Sequence, residues 1–422
     1  MTAVSLALRM AIFASLVVLT VLVYWRYVRL SYSNAQRTIN EAAVAAMSQL
    51  IYLDNCATSH PKPRAVATAM ANTVTNVAGN PGRSFHKASL AATRILFQAR
   101  EAAAELLGLD HPERLVFTRG ATEGLNLAIK GLLKPGEKMA ISMLEHNSVI
   151  RPAEAMKRQG VTVEHAPCGP DGLPDPARIP AVKALVTTAA SNVTGAIADL
   201  LPLAQACRAK GVLLVVDAAQ AAGSIPMPAA GQASVIAMTG HKGLLGPQGI
   251  GLAWFAPGVE PAPLIEGGTG SASESAMAPE FWPDRHEAGT LNTPGAAGLL
   301  AAVKYIASRG IEDIREHEVR LCGVLIEALA NHRDIIVYPP LDAGRKASLV
   351  SFNVRGVDPA QVSTLLGMRG IAVRSGLHCC PQAHRFLGTF PDGAVRASPG
   401  PFTTKKQIGL FIKALCQIAA DR

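Results

Sequence analysis

Lys242 and Asp217 are the two residues of this sequence whose types and spacing most directly suggest covalent chemistry. Asp217 ends the apolar run 212–216, and Lys242 follows the apolar run 235–238 after a short loop. If both runs are strands of one parallel sheet, their carboxyl ends meet at the edge where such sheets bind ligands. A lysine amine can form an imine with an aldehyde, and a buried acid can hold a pyridine nitrogen protonated. The pair predicts a site for a cofactor that carries both groups.

A second segment is suited to an anion. Residues 117–124, FTRGATEG, run from a strand pattern into a helix pattern. Free backbone N–H groups and the helix dipole favour a phosphate at such a turn, and the hydroxyl of Thr122 adds a donor. Taken alone, the segment is equally typical of simple helix capping. Glycines at 243, 246, 249 and 251 indicate close backbone approach after Lys242.

A third segment, RSGLHCCP at 374–381, combines a guanidinium with thiols. Arg374 suits a substrate carboxylate because its donors form a bidentate fork, and Arg396 is a second candidate for that task. Most free cysteines are small buried hydrophobic side chains, which is the alternative for Cys379 and Cys380. The polar neighbours and the glycine of this segment favour an exposed Cys379 on a short loop.

The elements that must position these residues alternate between strand and helix patterns. Such alternation predicts an α/β protein with a mostly parallel, seven-stranded sheet. The pattern breaks near 289–294 and predicts a large domain at 62–294, with a smaller α+β domain formed by 47–61 and 295–422. Helices are expected at 295–308, 359–368 and 405–419. Strands are expected at 349–354 and 371–373, and in the sheet at 114–118, 138–143, 161–165, 184–188, 212–216, 235–238 and 251–255.

Composition narrows the class of protein. The 422 residues are 49% hydrophobic and 17% charged, which predicts a large buried core. The net charge of +9 is dispersed and aromatic residues make up only 5%, so no nucleic-acid partner is expected. The seven cysteines form no CxxC pair and no zinc-like spacing. They predict free thiols in a reducing compartment and no metal site.

Residues 1–46 form a separate hydrophobic segment, for which two interpretations are open. The apolar stretch within 4–28 reaches the length of a membrane span only if Arg9 snorkels. Arginines after the stretch then place the catalytic domain in the cytoplasm, anchored to the cytoplasmic membrane by one helix. Alternatively, Met47 is the true start of the protein and the segment is an upstream extension.

Seven ordered motifs together resemble the class V aminotransferase superfamily, and more narrowly its cysteine desulfurase and selenocysteine lyase branch (group II). The resemblance covers about residues 47–422. It implies a homodimeric pyridoxal 5'-phosphate enzyme of fold type I. The motifs are YLDNCAT at 52–58, TRGATEGLN at 118–126, EHNS at 145–148, SNVTG at 191–195, DAAQ at 217–220, TGHK at 239–242 and EAGT at 287–290.

Carried over by position, the resemblance implies a role for each candidate residue. Lys242 bonds to the cofactor and Asp217 pairs with its pyridine nitrogen. His146 stacks on the ring and assists catalysis, while Asn192 and Gln220 face the ring oxygen. Thr290 reaches the phosphate in the partner subunit. The same-chain residues that hold the phosphate are Ala121, Thr122, Thr239 and His241.

The implied reaction converts L-cysteine to L-alanine and leaves a persulfide on Cys379, from which a sulfur-acceptor protein collects the sulfur. Arg374, Arg396 and Asn192 would bind the substrate, and L-selenocysteine is an alternative substrate. Leu377 and Cys380 depart from the residues common in this branch, which leaves the substrate preference and the acceptor open. Two other functions remain: an aminotransferase for a small amino acid, and a non-catalytic, membrane-anchored partner in sulfur transfer.

Overall fold

The computed structural model describes residues 50–77, 79–82 and 84–421. The hydrophobic segment with its candidate span at 4–28 lies outside the described residues. Within the described ranges, no helix is both long and apolar enough to cross a membrane.

A seven-stranded sheet forms the centre of the molecule. Its spatial order is β2-β8-β7-β6-β5-β3-β4, and β8 runs antiparallel to both of its neighbours while the other strands share one direction. The inner strands are apolar and buried along their lengths, as expected for a sheet covered on both faces. The strands are β2 (Leu115–Thr118), β3 (Lys138–Ile141), β4 (Thr162–His165), β5 (Ala184–Thr188), β6 (Leu213–Asp217), β7 (Val235–Thr239) and β8 (Gly251–Phe255).

Helices cover both faces of this sheet and pack closely where glycine permits. A Cβ added to Gly124 would lie 2.9 Å from the Cβ of Ala253 on the sheet. The helices before the second sheet are α1 (Arg64–Asn76), α2 (Lys87–Leu107), α3 (Ala121–Leu132), α4 (Asn147–Lys157), α5 (Leu200–Ala209), α6 (Thr293–Arg309) and α7 (Ile311–Ala330).

A second, four-stranded sheet follows in the order β12-β13-β10-β9 with antiparallel pairing. The segment just after β1 joins this part of the chain, because Leu53 donates its N–H to the carbonyl of Ala372 at 2.9 Å. The remaining elements are β1 (Ile51–Tyr52), β9 (Ile335–Val337), β10 (Val350–Val354), α8 (Pro359–Gly367), β11 (Ile371–Ala372), β12 (Arg374–Gly376), α9 (Pro381–Phe386), β13 (Ala394–Ala397) and α10 (Lys405–Ala420).

The predicted fold class is confirmed, including the seven-stranded sheet. The predicted strand at 371–373 needs correction. Strand pairing stops after Ala372 and resumes from Arg374 to Gly376, where the partner is β13. Arg374 therefore begins a strand, and the short loop starts after Gly376. The division into domains at 62–294 and at 47–61 with 295–422 stays a proposal, supported by the separate stretches that form the two sheets.

Candidate active site

A cavity of about 730 Å³ opens at the carboxyl ends of the parallel strands. This is the edge at which sheets of this type bind ligands. Except for Thr290 and Cys379, every predicted site residue lines it. These are Ala121, Thr122, His146, Asn192, Asp217, Gln220, Thr239, His241, Lys242, Arg374 and Arg396.

Asp217 and Lys242 both line the cavity and lie close enough to interact electrostatically. Asp217 is the last residue of β6 and is buried, and its Oδ1 accepts the N–H of Ala219 at 2.9 Å. Burial raises the pKa of Asp217. The Ala219 hydrogen bond and the nearby Lys242 lower it, but their effect is smaller. Burial likewise lowers the pKa of Lys242 despite the opposing carboxylate. The site therefore favours the neutral amine, which is the form that can attack an aldehyde.

The backbone before Lys242 is held by four donors. The carbonyl of His241 accepts hydrogen bonds from the Ser59 N–H at 2.9 Å, the hydroxyls of Thr58 and Ser59 at 3.1 Å, and the Lys62 ammonium at 3.2 Å. These contacts fix the peptide that carries Lys242. The sequence indicated nothing of this role, because residues 58–62 and 241 are distant along the chain.

His146 stands at the start of α4 and is linked to the predicted phosphate turn. Its Nδ1 lies 2.8 Å from the Ser148 hydroxyl, which lies 2.8 Å from the hydroxyl of Thr122 at the start of α3. Burial, reinforced by Lys242 and nearby arginines, lowers the pKa of His146 to about 4. The ring is neutral at neutral pH, and its unprotonated nitrogen can accept a proton. Ser148 is a site residue that sequence reasoning missed, although it lies inside the EHNS motif.

One of the residues predicted to hold the phosphate has a buried polar atom that lacks a hydrogen-bond partner in the described part of the chain. Nδ1 of His241 is buried and has no hydrogen-bond partner among the described atoms. Nearby, Gly120 precedes α3, and a Cβ at this position would lie 3.3 Å from the Thr239 hydroxyl. The start of α3 and the Thr239 hydroxyl at the end of β7 therefore lie close together. Both could donate hydrogen bonds to an anion bound there.

Asn192 and Arg396 line the cavity and contact each other. Arg396 is buried, and its guanidinium donates to the Asn192 carbonyl at 2.8 Å and to Oδ1 of Asp54 at 3.0 Å. Nε of Arg396 is buried and has no hydrogen-bond partner within the described part of the chain. Gln220, which also lines the cavity, donates through Nε2 to the Cys56 carbonyl at 3.0 Å. Arg396 is thus partly neutralised by Asp54, whereas Arg374 has more freedom to bind an incoming carboxylate.

Cys379 is exposed at the rim of the cavity. Nη2 of Arg374 lies 3.7 Å from its sulfur. The backbone at His378 and Cys379 is left-handed, with φ of +48° and +57°. L-residues rarely adopt this conformation, which costs about 1 kcal/mol per residue. The surrounding contacts must therefore hold the turn that presents the thiol.

Cys380 differs sharply from its neighbour. It is fully buried, and its sulfur faces the carbonyls of Leu144 and Glu145 at 3.3 and 3.0 Å. Burial raises the pKa of the Cys380 thiol well above its ordinary value. A thiol in this environment is inert, so Cys380 packs as a small core residue and cannot receive sulfur in this conformation.

Thr290 does not line the cavity of its own chain. It is exposed, and its hydroxyl accepts a long hydrogen bond of 3.5 Å from Nδ2 of Asn80. The carboxyl group three residues earlier is anchored, since Glu287 forms a bidentate buried pair with Arg100 at 2.9 and 3.0 Å. The segment that carries Thr290 is therefore anchored at Glu287, while the Thr290 side chain itself is exposed.

Comparison with known proteins agrees with this geometry. The family model for class V aminotransferases matches residues 51–411. A probable cysteine desulfurase of Methanothermobacter thermautotrophicus is 33% identical over 383 residues, covering 87% of this chain and 94% of the relative.

Two solved structures are also similar. The apo cysteine desulfurase from Thermococcus onnurineus has a TM-score of 0.83 at 31% identity, covering 89% of this chain and 96% of the other. The cysteine desulfurase CsdA from Escherichia coli has a TM-score of 0.78 at 29% identity, covering 89% and 95%. The chain belongs to the class V aminotransferase family. Within that family it falls in the cysteine desulfurase branch, whose members are pyridoxal-phosphate enzymes of fold type I.

Proposed function

We propose that this protein is a pyridoxal 5'-phosphate-dependent cysteine desulfurase that moves sulfur from L-cysteine to Cys379. The observation that carries the proposal is the exposed Cys379 thiol beside the Arg374 guanidinium, at the rim of a cavity with Lys242 on its floor. An aminotransferase has no need of a thiol at this position.

The residues present fit the cofactor. Asp217 would bind the pyridine nitrogen, and a protonated nitrogen there would restore the anionic form of the carboxyl that burial disfavours. Nδ1 of His241, which is buried and has no partner among the residues that the structure describes, would gain a phosphate oxygen, together with Ala121, Thr122 and Thr239. His146 would lie against the ring, with Asn192 and Gln220 at its oxygen. When bound, pyridoxal phosphate supplies an electron sink for bond cleavage at the substrate.

The chain's own residues then bind the substrate and move its proton. Arg374 and Arg396 hold the carboxylate of L-cysteine and orient its side chain toward the rim. Burial lowers the pKa of Lys242, which favours the neutral amine, and in that form Nζ accepts the Cα proton. The neutral His146 ring is the second group that can hold a proton within the cavity.

Sulfur transfer takes place on Cys379. As a thiolate beside Arg374, Sγ attacks the substrate sulfur, so that an S–S bond forms and the Cβ–S bond breaks. The bonding electron pair stays with the three-carbon fragment, which takes up protons and leaves as alanine. The balance is L-cysteine plus one thiol giving L-alanine plus one persulfide, with no external oxidant or reductant.

The test measures alanine and sulfide from L-cysteine, with the cofactor supplied and with or without a thiol reductant. We expect equal amounts of both products in the presence of reductant. A parallel assay with L-selenocysteine determines whether that substrate is preferred. Release of a keto acid without sulfide would show instead that the protein is an aminotransferase.

Two partners belong to this proposal. The first is a second copy of the chain, whose Thr290 would reach the phosphate in this subunit's cavity; the exposed position of Thr290 outside its own cavity supports this arrangement. The second is a separate sulfur-acceptor protein. The short turn bearing Cys379 gives the persulfide little reach, so the acceptor must approach the rim.

A further inference from the structure

A chain of three side chains runs behind Cys379. The hydroxyl of Thr389 lies 2.7 Å from Nδ1 of His384, and Nε2 of His384 lies 3.2 Å from Nδ1 of His378. Nε2 of His378 in turn lies 3.4 Å from the Arg374 carbonyl. The two rings are stacked, with centroids 5.4 Å apart and planes inclined by 22°. Both are buried, so water does not compete for these nitrogens.

The chain has a defined direction. A carbonyl only accepts hydrogen bonds, so Nε2 of His378 must carry the proton toward Arg374. Burial lowers the pKa of His384 to about 4 and that of His378 further, so each ring is neutral and carries one N–H. His378 then accepts at Nδ1 from Nε2–H of His384. Nδ1 of His384 accepts from the Thr389 hydroxyl at 2.7 Å, a shorter contact than that between the hydroxyl and its other acceptor, the His384 carbonyl, at 3.3 Å.

This chain of hydrogen bonds stabilises the turn that carries the Cys379 thiol. His378 and Cys379 have left-handed backbones, and neither is glycine. Two contacts from the cavity side hold their carbonyls: Asn192 donates to His378 at 2.8 Å, and the Asn147 N–H donates to Cys379 at 2.8 Å. The histidine chain supplies a further contact, from the ring of His378 to the carbonyl of Arg374.

We propose that His384, oriented by Thr389, is a positioning residue for sulfur transfer: it fixes the tautomer of His378 and so keeps the Cys379 thiol beside Arg374. The inference rests on the proposed function for the role of Cys379 in the reaction. A chain that ends on a carbonyl has no terminal proton acceptor, so it positions groups and does not relay protons.

The experiment compares His384→Phe, which keeps a stacked ring without nitrogens, with His384→Gln, whose amide N–H reaches the place of imidazole Nε2–H. The readouts are the iodoacetamide alkylation rate of Cys379, followed by mass spectrometry of its peptide, and kcat and KM for L-cysteine. For His384→Phe we expect alkylation to be about threefold slower, because the thiol leaves the guanidinium. We expect kcat to fall about tenfold with a smaller change in KM, because the nucleophile is misplaced.

His384→Gln is expected to recover at least half of both losses, since it restores the donor toward His378. Thr389→Val, which is close in shape, should slow alkylation less than His384→Phe. Thr364→Val is its control, because the exposed Thr364 hydroxyl donates to the Ala360 carbonyl of its own helix at 2.9 Å. Wild-type alkylation and kcat in His384→Phe would overturn the proposal, as would His384→Gln behaving like His384→Phe. Alkylation needs no turnover, so this readout remains decisive even if L-cysteine is not the substrate.

Discussion

The two adjacent cysteines show how one residue step separates a reactive thiol from an inert one. Cys379 is exposed beside Arg374, whereas Cys380 points inward onto two carbonyls. Reactivity follows from exposure and charge and not from residue type. The sequence could place both thiols near a substrate arginine, but the left-handed turn that divides them is a feature of the backbone.

Replacing each cysteine separately tests this difference. Cys379→Ala should reduce sulfide release from L-cysteine to background while leaving the absorbance of bound cofactor intact. Cys380→Ala should keep most of the activity and lower the free energy of unfolding by about 1–2 kcal/mol, because it leaves a small cavity. Loss of sulfide release in Cys380→Ala, with Cys379→Ala remaining active, would reverse the assignment. Both variants are assayed for products and unfolded in urea.

Glu318 on α7 gives a pH-dependent prediction at the scale of one residue. Its carboxyl is buried and Oε2 has no hydrogen-bond partner among the described atoms, and burial raises its pKa from 4.5 to about 8. The folded protein therefore keeps a proton that the unfolded chain releases above pH 4.5. Stability contributed by this group is present below pH 4.5 and is lost as the pH rises toward 8.

Glu318→Gln removes this proton exchange. Relative to wild type, its free energy of unfolding should increase between pH 5 and pH 8, on the order of 3 kcal/mol. Urea unfolding at both pH values measures the difference, so other titrating groups cancel. Glu316→Gln is the control, since that carboxylate is 69% exposed. Parallel stability curves for wild type and Glu318→Gln would show that Glu318 does not hold the proton.

At the scale of elements, the sequence predicts what periodicity and burial determine. The strands Ala184–Thr188 and Gly251–Phe255 have the predicted bounds. Short apolar runs bounded by turn residues are typical of buried strands. The antiparallel direction of β8 could not be predicted, since a buried strand has the same composition in either direction. The break between β11 and β12 was also missed, because it depends on which strand pairs with each half.

The candidate site follows the same rule. Residues at strand ends and helix starts, such as Asp217 and Thr122, could be placed from local pattern alone. The contacts that orient them could not. Ser59, Lys62 and His384 act through partners that lie far away in sequence or around a turn, so only the folded backbone brings them into range.

The Arg100–Glu287 pair connects two elements and gives a prediction at this scale. It ties α2 to the segment before α6, and both side chains are buried. Glu287→Ala should lower the free energy of unfolding by about 3–5 kcal/mol, since it leaves a buried guanidinium unpaired. The double variant Arg100→Met, Glu287→Leu should be less destabilised than Glu287→Ala. The exposed pair Arg320–Glu316 is the control, with an expected coupling of about 0.5 kcal/mol or less. Additive losses at Arg100 and Glu287 in urea unfolding would contradict the coupling.

At the scale of the whole molecule, seven of the thirteen exposed large apolar side chains of the described residues fall in two stretches, 74–97 and 265–281. A cavity lined by Asn80, Phe97, Thr269 and Gly289 brings the two stretches together. Concentrated apolar surface of this kind is typical of an interface, which supports the proposed homodimer. The exposed apolar side chains in these two stretches are Val74, Phe85, Leu90, Phe97, Ile265, Met277 and Phe281.

Hybrid dimers test whether the partner subunit completes each site. Lys242→Ala and Thr290→Asp chains should each be inactive, the second because a carboxylate repels the phosphate. If Thr290 serves the partner's site, a hybrid of the two has one intact site, with Lys242 from one chain and Thr290 from the other. Random assortment of coexpressed, differently tagged chains then restores about a quarter of wild-type desulfuration.

The control for these hybrids combines Lys242→Ala with Cys379→Ala chains. Lys242 lines the cavity and Cys379 lies at its rim, beside Arg374 of the same chain. No hybrid of these two chains contains both groups in one site, so activity should stay at background. Recovery only with the Thr290→Asp chain would establish a shared site, because subunit exchange alone affects both mixtures equally. Equal activity in the two mixtures, or none in either, would contradict the assignment of Thr290 to the partner's site.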